Sequence, residues 1–225
     1  MFAFLKGWFG EKVTSFGMAL SLDRRVYRRI DDLILATDTG TTQVDHILVS
    51  RFGIFVIETK NMRGWIFGGE RDKQWTQVNF GRKDRFQNPL HQNYRHTRAI
   101  AEKLNIDHEA VHSVVFFIGD CEFKTAMPSN VLDRGLSSYI REYSEIWFSE
   151  DEVNDIDARL RSIKTHTLYT RTSHVRSLKE RYSATDICPK CGGELVERVA
   201  RKGRNAGGKF LGCSAYPKCR YTRDA

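Results

Sequence analysis

The sequence lacks an apolar run long enough to cross a bilayer, and it lacks a secretory signal at its start. We therefore expect a cytoplasmic protein. The aromatic residues between Met1 and Leu20 could lie on a membrane surface, although an amphipathic helix packed on the core is the favoured interpretation. Acidic residues are outnumbered, at 28 against 36 lysines and arginines. The resulting formal charge of +8 favours a polyanionic partner.

Cysteine is scarce, with five residues in the chain, and Cys121 is alone in the larger part of it. The other four form two pairs, Cys188 with Cys191 and Cys213 with Cys219. Two such pairs predict a tetrahedral structural Zn²⁺ site, and without a secretory signal disulfides are the weaker alternative. Four thiolates leave no open position for a catalytic zinc. A module this small should need the metal to fold.

The stretch from Val44 to Lys60 predicts two buried strands joined by a tight turn. With a two-residue loop, Asp45 faces Glu58, and Lys60 projects from the same side of the sheet. Facing carboxylates destabilise a sheet unless a cation lies between them, and Mg²⁺ or Mn²⁺ is the natural candidate. The set predicts metal-dependent phosphodiester hydrolysis with an ammonium that orients water. A bulged turn would shift this register, and a solvated strand end is the alternative.

The remaining pattern predicts an α/β domain that ends near Thr165. Asn88 and Pro89 cap a helix that runs to Leu104 and leaves Gln92 available for polar contacts. Strands cluster first and then alternate with helices along the chain. The predicted organisation is a main domain at 1–165, a basic helical linker at 166–185 and a four-cysteine module at 186–225.

Basic residues lie beside aromatic ones in two places. In the main domain, Phe80 and Phe86 flank a basic segment, and in the tail the tyrosines and Phe210 accompany another. The candidate nucleic-acid-binding residues are Arg82, Lys83 and Arg85 in the first place, and Arg201, Lys202, Arg204, Lys209, Phe210, Tyr216 and Tyr221 in the second. Such combinations favour single-stranded or distorted nucleic acid, although a solvated loop is an equal alternative for the first segment.

The main domain resembles the nuclease-related domain, NERD, a branch of the PD-(D/E)XK nuclease superfamily. The resemblance spans about Gly10 to Phe148 and lies in Gly10-Glu11, Val44-Asp45-His46-Ile47-Leu48-Val49, Gly53-Ile54-Phe55-Val56-Ile57-Glu58-Thr59-Lys60-Asn61, Gly64, Trp75 and Asn88-Pro89-Leu90-His91-Gln92. It implies a restriction-endonuclease-like α/β core, with a central mixed sheet flanked by helices. It also implies a catalytic and metal-binding set of Asp45, Glu58 and Lys60, with Glu11 and Gln92 as accessory positions.

The tail resembles the zinc finger at the C-terminus of type IA topoisomerases. The matching residues are Cys188-Pro189-x-Cys191-Gly192-Gly193, Phe210-x-x-Cys213-Ser214-x-Tyr216-Pro217-x-Cys219 and Tyr221. This implies a zinc-ribbon-like module but no topoisomerase activity, because no topoisomerase catalytic region fits in the chain. The two resemblances together predict a Mg²⁺- or Mn²⁺-dependent deoxyribonuclease held on DNA by a zinc finger. The alternatives are an inactive DNA-binding or scaffold protein on the same fold, and an RNA-directed nuclease.

Overall fold

The computed structural model describes residues 21–37, 40–166, 169–170, 172–173, 188, 193–201 and 206–224. Its contacts divide the chain into two units, Met1–Leu33 with Val44–His166 and Ile34–Gln43 with Thr167–Ala225. Among the described residues, no helix has the length and apolar character needed to span a membrane. The predicted ligands Glu11 and Cys191 lie outside the described residues.

The described elements include strands, three α-helices and a 3-10 helix. In chain order they are β1 (Arg28–Thr37), β2 (Gly40–Ser50), β3 (Gly53–Lys60), β4 (Gly64–Phe67), β5 (Gln74–Asn79), β6 (Arg82–Gln87), α1 (Pro89–Leu104), the 3-10 helix (His108–Ala110), β7 (Val111–Phe117), β8 (Cys121–Phe123), β9 (Val131–Leu132), α2 (Leu136–Arg141), α3 (Glu150–His166), β10 (Leu195–Val199), β11 (Lys209–Cys213) and β12 (Thr222–Asp224).

The central sheet has the strand order β1-β2-β3-β7-β9 and is mixed. β2 and β3 run antiparallel, whereas β3, β7 and β9 run parallel to one another. The β2–β3 turn has two residues, and Ser50 pairs with Gly53 as the sequence predicts. Gly53 adopts a φ of 111°, a left-handed conformation that glycine accepts without strain. The sheet and its helices confirm the predicted α/β fold.

The central strands are apolar throughout because both faces of the sheet are covered. Val114 and Phe116 of β7 belong to one hydrophobic cluster, with Phe55 of β3. The alternate residues Val115 and Phe117 belong to a second cluster. The alternation of β7 side chains therefore supplies two cores, one on each face of the sheet.

A second, outer sheet has the strand order β6-β5-β4-β8. Its Trp75 is fully buried, and its ring lies parallel to that of Phe117 at a centroid distance of 6.2 Å. One face of the outer sheet therefore packs on the second core cluster. The basic segment after Phe80 forms β6, although the sequence analysis left a solvated loop as an alternative.

Helix α1 begins and ends where the sequence predicts. Asn88 caps its start by accepting a hydrogen bond from the backbone N–H of Leu90 at 2.9 Å. Within the helix, Asn93 is fully buried, and its amide nitrogen donates to the carbonyl oxygens of Val56 on β3 and Val114 on β7, at 2.9 and 3.0 Å. These bonds fix the rotation of α1 over the sheet and thus decide which helical side chains face the strands.

The second unit contains a three-stranded antiparallel sheet with the order β10-β11-β12. Three of the cysteines, Cys188, Cys213 and Cys219, form a buried cluster with Leu195. Such a small cluster offers little hydrophobic stabilisation, as expected for a module that depends on a metal.

We predict that Asn93→Ala lowers the free energy of unfolding by about 2–4 kcal/mol, because two buried carbonyl groups lose their donor. Urea denaturation measures this change. Asn154→Ala is the matched control, since Asn154 is exposed on α3 and should change stability by less than about 0.5 kcal/mol. A loss for Asn93→Ala as small as that of the control would contradict the anchoring role.

Candidate functional site

Glu58 carries a buried negative charge near the end of β3. Its side chain is 4% exposed, its Oε1 accepts a hydrogen bond from Lys60 Nζ at 2.7 Å, and its Oε2 lies 3.3 Å from His96 Nε2. Burial alone would raise the pKa of Glu58, but Lys60 and His96 outweigh burial and lower the pKa to about 2. The carboxylate is therefore ionised at neutral pH.

Lys60 is held by two partners and still reaches solvent. Its Nζ donates to Gln92 Oε1 at 2.9 Å as well as to Glu58, and its side chain is 18% exposed. Gln92 lies in the first turn of α1, where its backbone N–H donates to the carbonyl oxygen of Asn88. The helix cap thus places Gln92 beside the end of β3. The structure brings together three of the predicted residues, Glu58, Lys60 and Gln92.

Asp45 lies on the neighbouring strand. The β2–β3 ladder ends with His46 paired to Ile57, and Asp45 is the adjacent residue of β2. Asp45 Oδ2 accepts hydrogen bonds from the backbone N–H and the hydroxyl of Thr59, at 3.0 and 2.8 Å. Asp45 is therefore held against β3 at Thr59, the residue between Glu58 and Lys60.

The end of β3 carries the Glu58 carboxylate beside the Lys60 ammonium, and the Asp45 carboxylate of β2 is bonded to the residue between them. Carboxylate oxygens are the donors that Mg²⁺ and Mn²⁺ prefer, and the ionised state of Glu58 suits a cation that needs charged oxygen ligands. The chemistry of Asp45 and Glu58 therefore fits a hard divalent cation.

Sequence reasoning missed two residues of this site, His96 and Thr59. His96 follows Gln92 by four positions, so both lie on the same side of α1. That spacing is a signal that the sequence contains. Thr59 gave no comparable signal, because an inward-facing threonine in an apolar strand is an ordinary core residue.

The cysteine cluster of the second unit has the geometry of a metal site. The sulfur atoms of Cys188, Cys213 and Cys219 all lie within 4.8 Å of one another. The Cys188 and Cys219 sulfurs are 3.8 Å apart. Two sulfurs on a tetrahedral Zn²⁺ with bonds of about 2.3 Å are separated by about 3.8 Å, whereas a disulfide needs about 2.05 Å. These three thiols thus fit structural zinc.

The described part of the tail presents one exposed aromatic ring beside a cation. Tyr216 is 59% exposed, and the Arg198 guanidinium lies 5.8 Å from its ring centroid. Phe210 and Tyr221 are half-buried, whereas Arg201 and Lys209 are exposed, and Lys209 pairs with Glu197 at 2.8 Å. Arg198 was missed by the sequence analysis. The predicted residues Lys202 and Arg204 lie outside the described residues.

In the first unit, the predicted basic residues Arg82, Lys83 and Arg85 are all exposed on β6. Arg82 pairs with Asp84 at 2.8 Å. Phe86 packs against Trp75, with a centroid distance of 6.2 Å. Phe86 is therefore a core residue rather than a stacking surface.

Comparisons with known proteins support both family resemblances. Residues 6–118 match the family model of the nuclease-related domain, and residues 185–225 match that of the topoisomerase DNA binding C4 zinc finger. An uncharacterized protein of Bacillus anthracis is 37% identical over 157 residues, which are 67% of this chain and 73% of the relative. No solved structure matches the chain.

Two other relatives match only the tail. DNA topoisomerase 1 of Helicobacter pylori is 50% identical over 36 residues, which are 16% of this chain and 4% of the topoisomerase. The uncharacterized protein YrdD of Escherichia coli is 58% identical over 38 residues, which are 17% of this chain and 18% of YrdD. The similarity to topoisomerase is confined to the zinc finger.

We predict that Glu58 makes stability depend on pH in the acid range. The pKa of Glu58 in the folded protein, about 2, lies below its ordinary value of 4.5, so the unfolded chain binds the proton more readily. The stabilisation is present above pH 4.5 and is lost as the pH falls toward 2; it corresponds to about 3 kcal/mol.

The measurement is the free energy of unfolding between pH 5 and pH 2 without added divalent cations. Glu58→Gln should show a shallower decline than the wild type, whereas Glu109→Gln, at an exposed position, should follow the wild type. Protonation of the cysteine cluster affects all three proteins equally. Parallel curves for wild type and Glu58→Gln would contradict this assignment.

We predict that Cys213→Ser abolishes stoichiometric zinc binding and exposes the tail to limited proteolysis, because the cluster loses a thiolate. Metal analysis of the purified protein measures the zinc content. Cys121→Ser is the matched control, since burial raises the pKa of Cys121 to about 11 and keeps it a thiol outside the cluster. Retention of zinc by Cys213→Ser, or its loss from Cys121→Ser, would contradict the assignment.

Proposed function

Because the chain belongs to the nuclease-related domain family, we propose that it is a metal-dependent DNA nuclease whose C-terminal zinc finger binds DNA. One observation carries the proposal. Lys60 Nζ lies 2.7 Å from a buried, ionised Glu58 and 2.9 Å from Gln92, and Asp45 on the adjacent strand is bonded to Thr59 between them. A fold that needed only stability would place apolar residues there, because a buried ion pair seldom adds stability.

The proposed reaction is hydrolysis of a phosphodiester bond. A water oxygen attacks phosphorus, the bond to the leaving oxygen breaks, and that oxygen takes a proton, which gives a phosphate monoester and a hydroxyl. Mg²⁺ or Mn²⁺, held by Asp45 and Glu58, supplies Lewis acidity at the phosphate when it is bound.

Lys60 and Gln92 have separate roles in the proposed reaction. Lys60 has a third ammonium hydrogen besides those given to Glu58 and Gln92, and that hydrogen orients the attacking water or offsets charge on the phosphate. Gln92 accepts from Lys60 through its oxygen, so its amide hydrogens are left to donate to a phosphate oxygen. Glu11, the other accessory position that the family resemblance implies, lies outside the described residues.

The tail supports the DNA-binding half of the proposal. Residues 186–225 contain nine lysines and arginines against four acidic residues, which concentrates positive charge in the module. Arg198 and Tyr216 add a cation beside an exposed ring. A single-stranded or distorted substrate is preferred in this proposal, since exposed rings stack on unpaired bases.

The test is cleavage of labelled single-stranded, double-stranded and forked DNA, and of RNA with the same sequence, with Mg²⁺, Mn²⁺ or no added divalent cation. Lys60→Ala should reduce the cleavage rate at least about a hundredfold, the scale of losing a catalytic group. Lys103→Ala, at an exposed position on α1, should cleave like the wild type.

The outcome also separates the proposal from its two alternatives. DNA binding without cleavage under either metal would indicate a DNA-binding scaffold on a nuclease-like fold. Cleavage of RNA in preference to DNA would indicate an RNA-directed enzyme.

A further inference from the structure

We propose that a groove beside the nuclease site, between Trp65 and Phe80, binds unpaired bases of the strand that is cut. The proposal depends on the proposed nuclease function in one respect only, because it identifies the bound strand as the one that is cut. It is carried by four observations: the orientation of the outer sheet, the exposure of two aromatic rings, the position of the groove and the polar groups that line it.

The outer sheet presents one face to the core and one to solvent. Its register places Trp65, Val78 and Lys83 in one row across β4, β5 and β6. The neighbouring row contains Ile66, which belongs to the second core cluster with Trp75. Because side chains alternate along a strand, Trp65 and Lys83 project from the opposite, outer face.

Two aromatic rings are unusually exposed here. Trp65 is 50% exposed, and Phe80, at the turn between β5 and β6, is fully exposed. Among the described residues of the first unit, they are the aromatic members of the exposed large hydrophobic set. Single exposed apolar residues are normal, but these two line the same groove of 880 Å³.

The groove begins where the catalytic strand ends. Asn61, which directly follows Lys60, lines it together with Gly64 and Gly119. The Gly64 backbone N–H donates to the carbonyl oxygen of Asp120 at 2.9 Å, which holds the start of β4 against the segment after β7. A Cβ on Gly119 would collide with the Met62 carbonyl oxygen at 2.2 Å. The segment after β7 therefore packs directly on the backbone that precedes β4, and only glycine fits at position 119.

The lining favours unpaired bases over a duplex. Asn61 and Asn79 offer amide groups, and Asp120 and Glu122 offer carboxylates that accept from exocyclic amino groups. Glu122 is paired with Lys124 at 2.6 Å, so its charge is offset. The two aromatic rings favour bases that are not paired, because the faces of such bases are free to stack.

One cation, Arg63, lines the groove, and further cations lie around it. Lys124 Nζ is 4.9 Å from the Trp65 ring centroid, and Lys83 and Arg85 are exposed on the strand two places from β4. Arg63 is exposed in the groove lining. This distribution suits a single strand whose bases enter the groove while its phosphates stay among the lysines and arginines.

The test is binding of single-stranded and duplex DNA that contain the fluorescent base 2-aminopurine, with the full-length chain carrying Lys60→Ala to suppress cleavage. We expect 2-aminopurine to be quenched in the single strand, and Trp65→Ala or Phe80→Ala to weaken single-strand affinity about tenfold each and to reduce the quenching. Trp65→Phe should keep most of both signals, because a ring remains. Duplex affinity should change little.

Ile146→Ala is the control, since Ile146 is 60% exposed and does not line the groove. Unchanged affinity and quenching in Trp65→Ala and Phe80→Ala would overturn the proposal, and so would equal losses for single strand and duplex. If Trp65→Ala fails to fold, the affinity and quenching of Phe80→Ala test the proposal, because the Phe80 side chain is fully exposed and its removal disturbs no packing. Absence of cleavage by the wild type would refute the nuclease function but would leave these binding results interpretable.

Discussion

The structure of the main unit depends on neutralising one buried carboxylate. Glu58 is ionised although its side chain is almost fully buried, and an isolated charge in that position would be prohibitive. One compensating cation comes from its own strand, since Lys60 is two residues further and on the same side. The other contact comes from His96 on α1. A strand and a helix must therefore be held in a fixed relation for the carboxylate to be tolerated.

Two asparagines meet this requirement. Asn88 fixes the start of α1, and its side-chain amide also donates to three carbonyl oxygens of the loop after β4. Asn93 fixes the rotation of the helix through bonds to β3 and β7. Gln92 and His96 lie on either side of Asn93 in the sequence. The helix surface that anchors α1 to the sheet through Asn93 therefore also carries the residues that contact Lys60 and Glu58. Stability of the fold and geometry of the site are coupled through it.

The features predicted from sequence were those that local rules determine. A two-residue turn was enough to predict that Ser50 pairs with Gly53, and a cap followed by proline was enough to predict that α1 starts after Asn88. Contacts that depend on how elements pack were missed, such as His96 on Glu58. β6 gave no strand signal, because its exposed basic residues have no apolar alternation and its pairing with β5 is a tertiary effect.

The two partners of Lys60 have different parts in the proposed chemistry. An ammonium paired only with Glu58 would lose much of its attraction once that carboxylate shares its charge with a divalent cation. The Lys60 side chain would then be free to rotate into solvent, since a lone lysine retains large rotamer entropy. Gln92 is neutral, so its hydrogen bond to Nζ does not weaken in that way. An amide placed by the helix cap thus keeps the ammonium at the strand end in both states of the proposed site, and that gives a residue remote in sequence a part in the proposed chemistry.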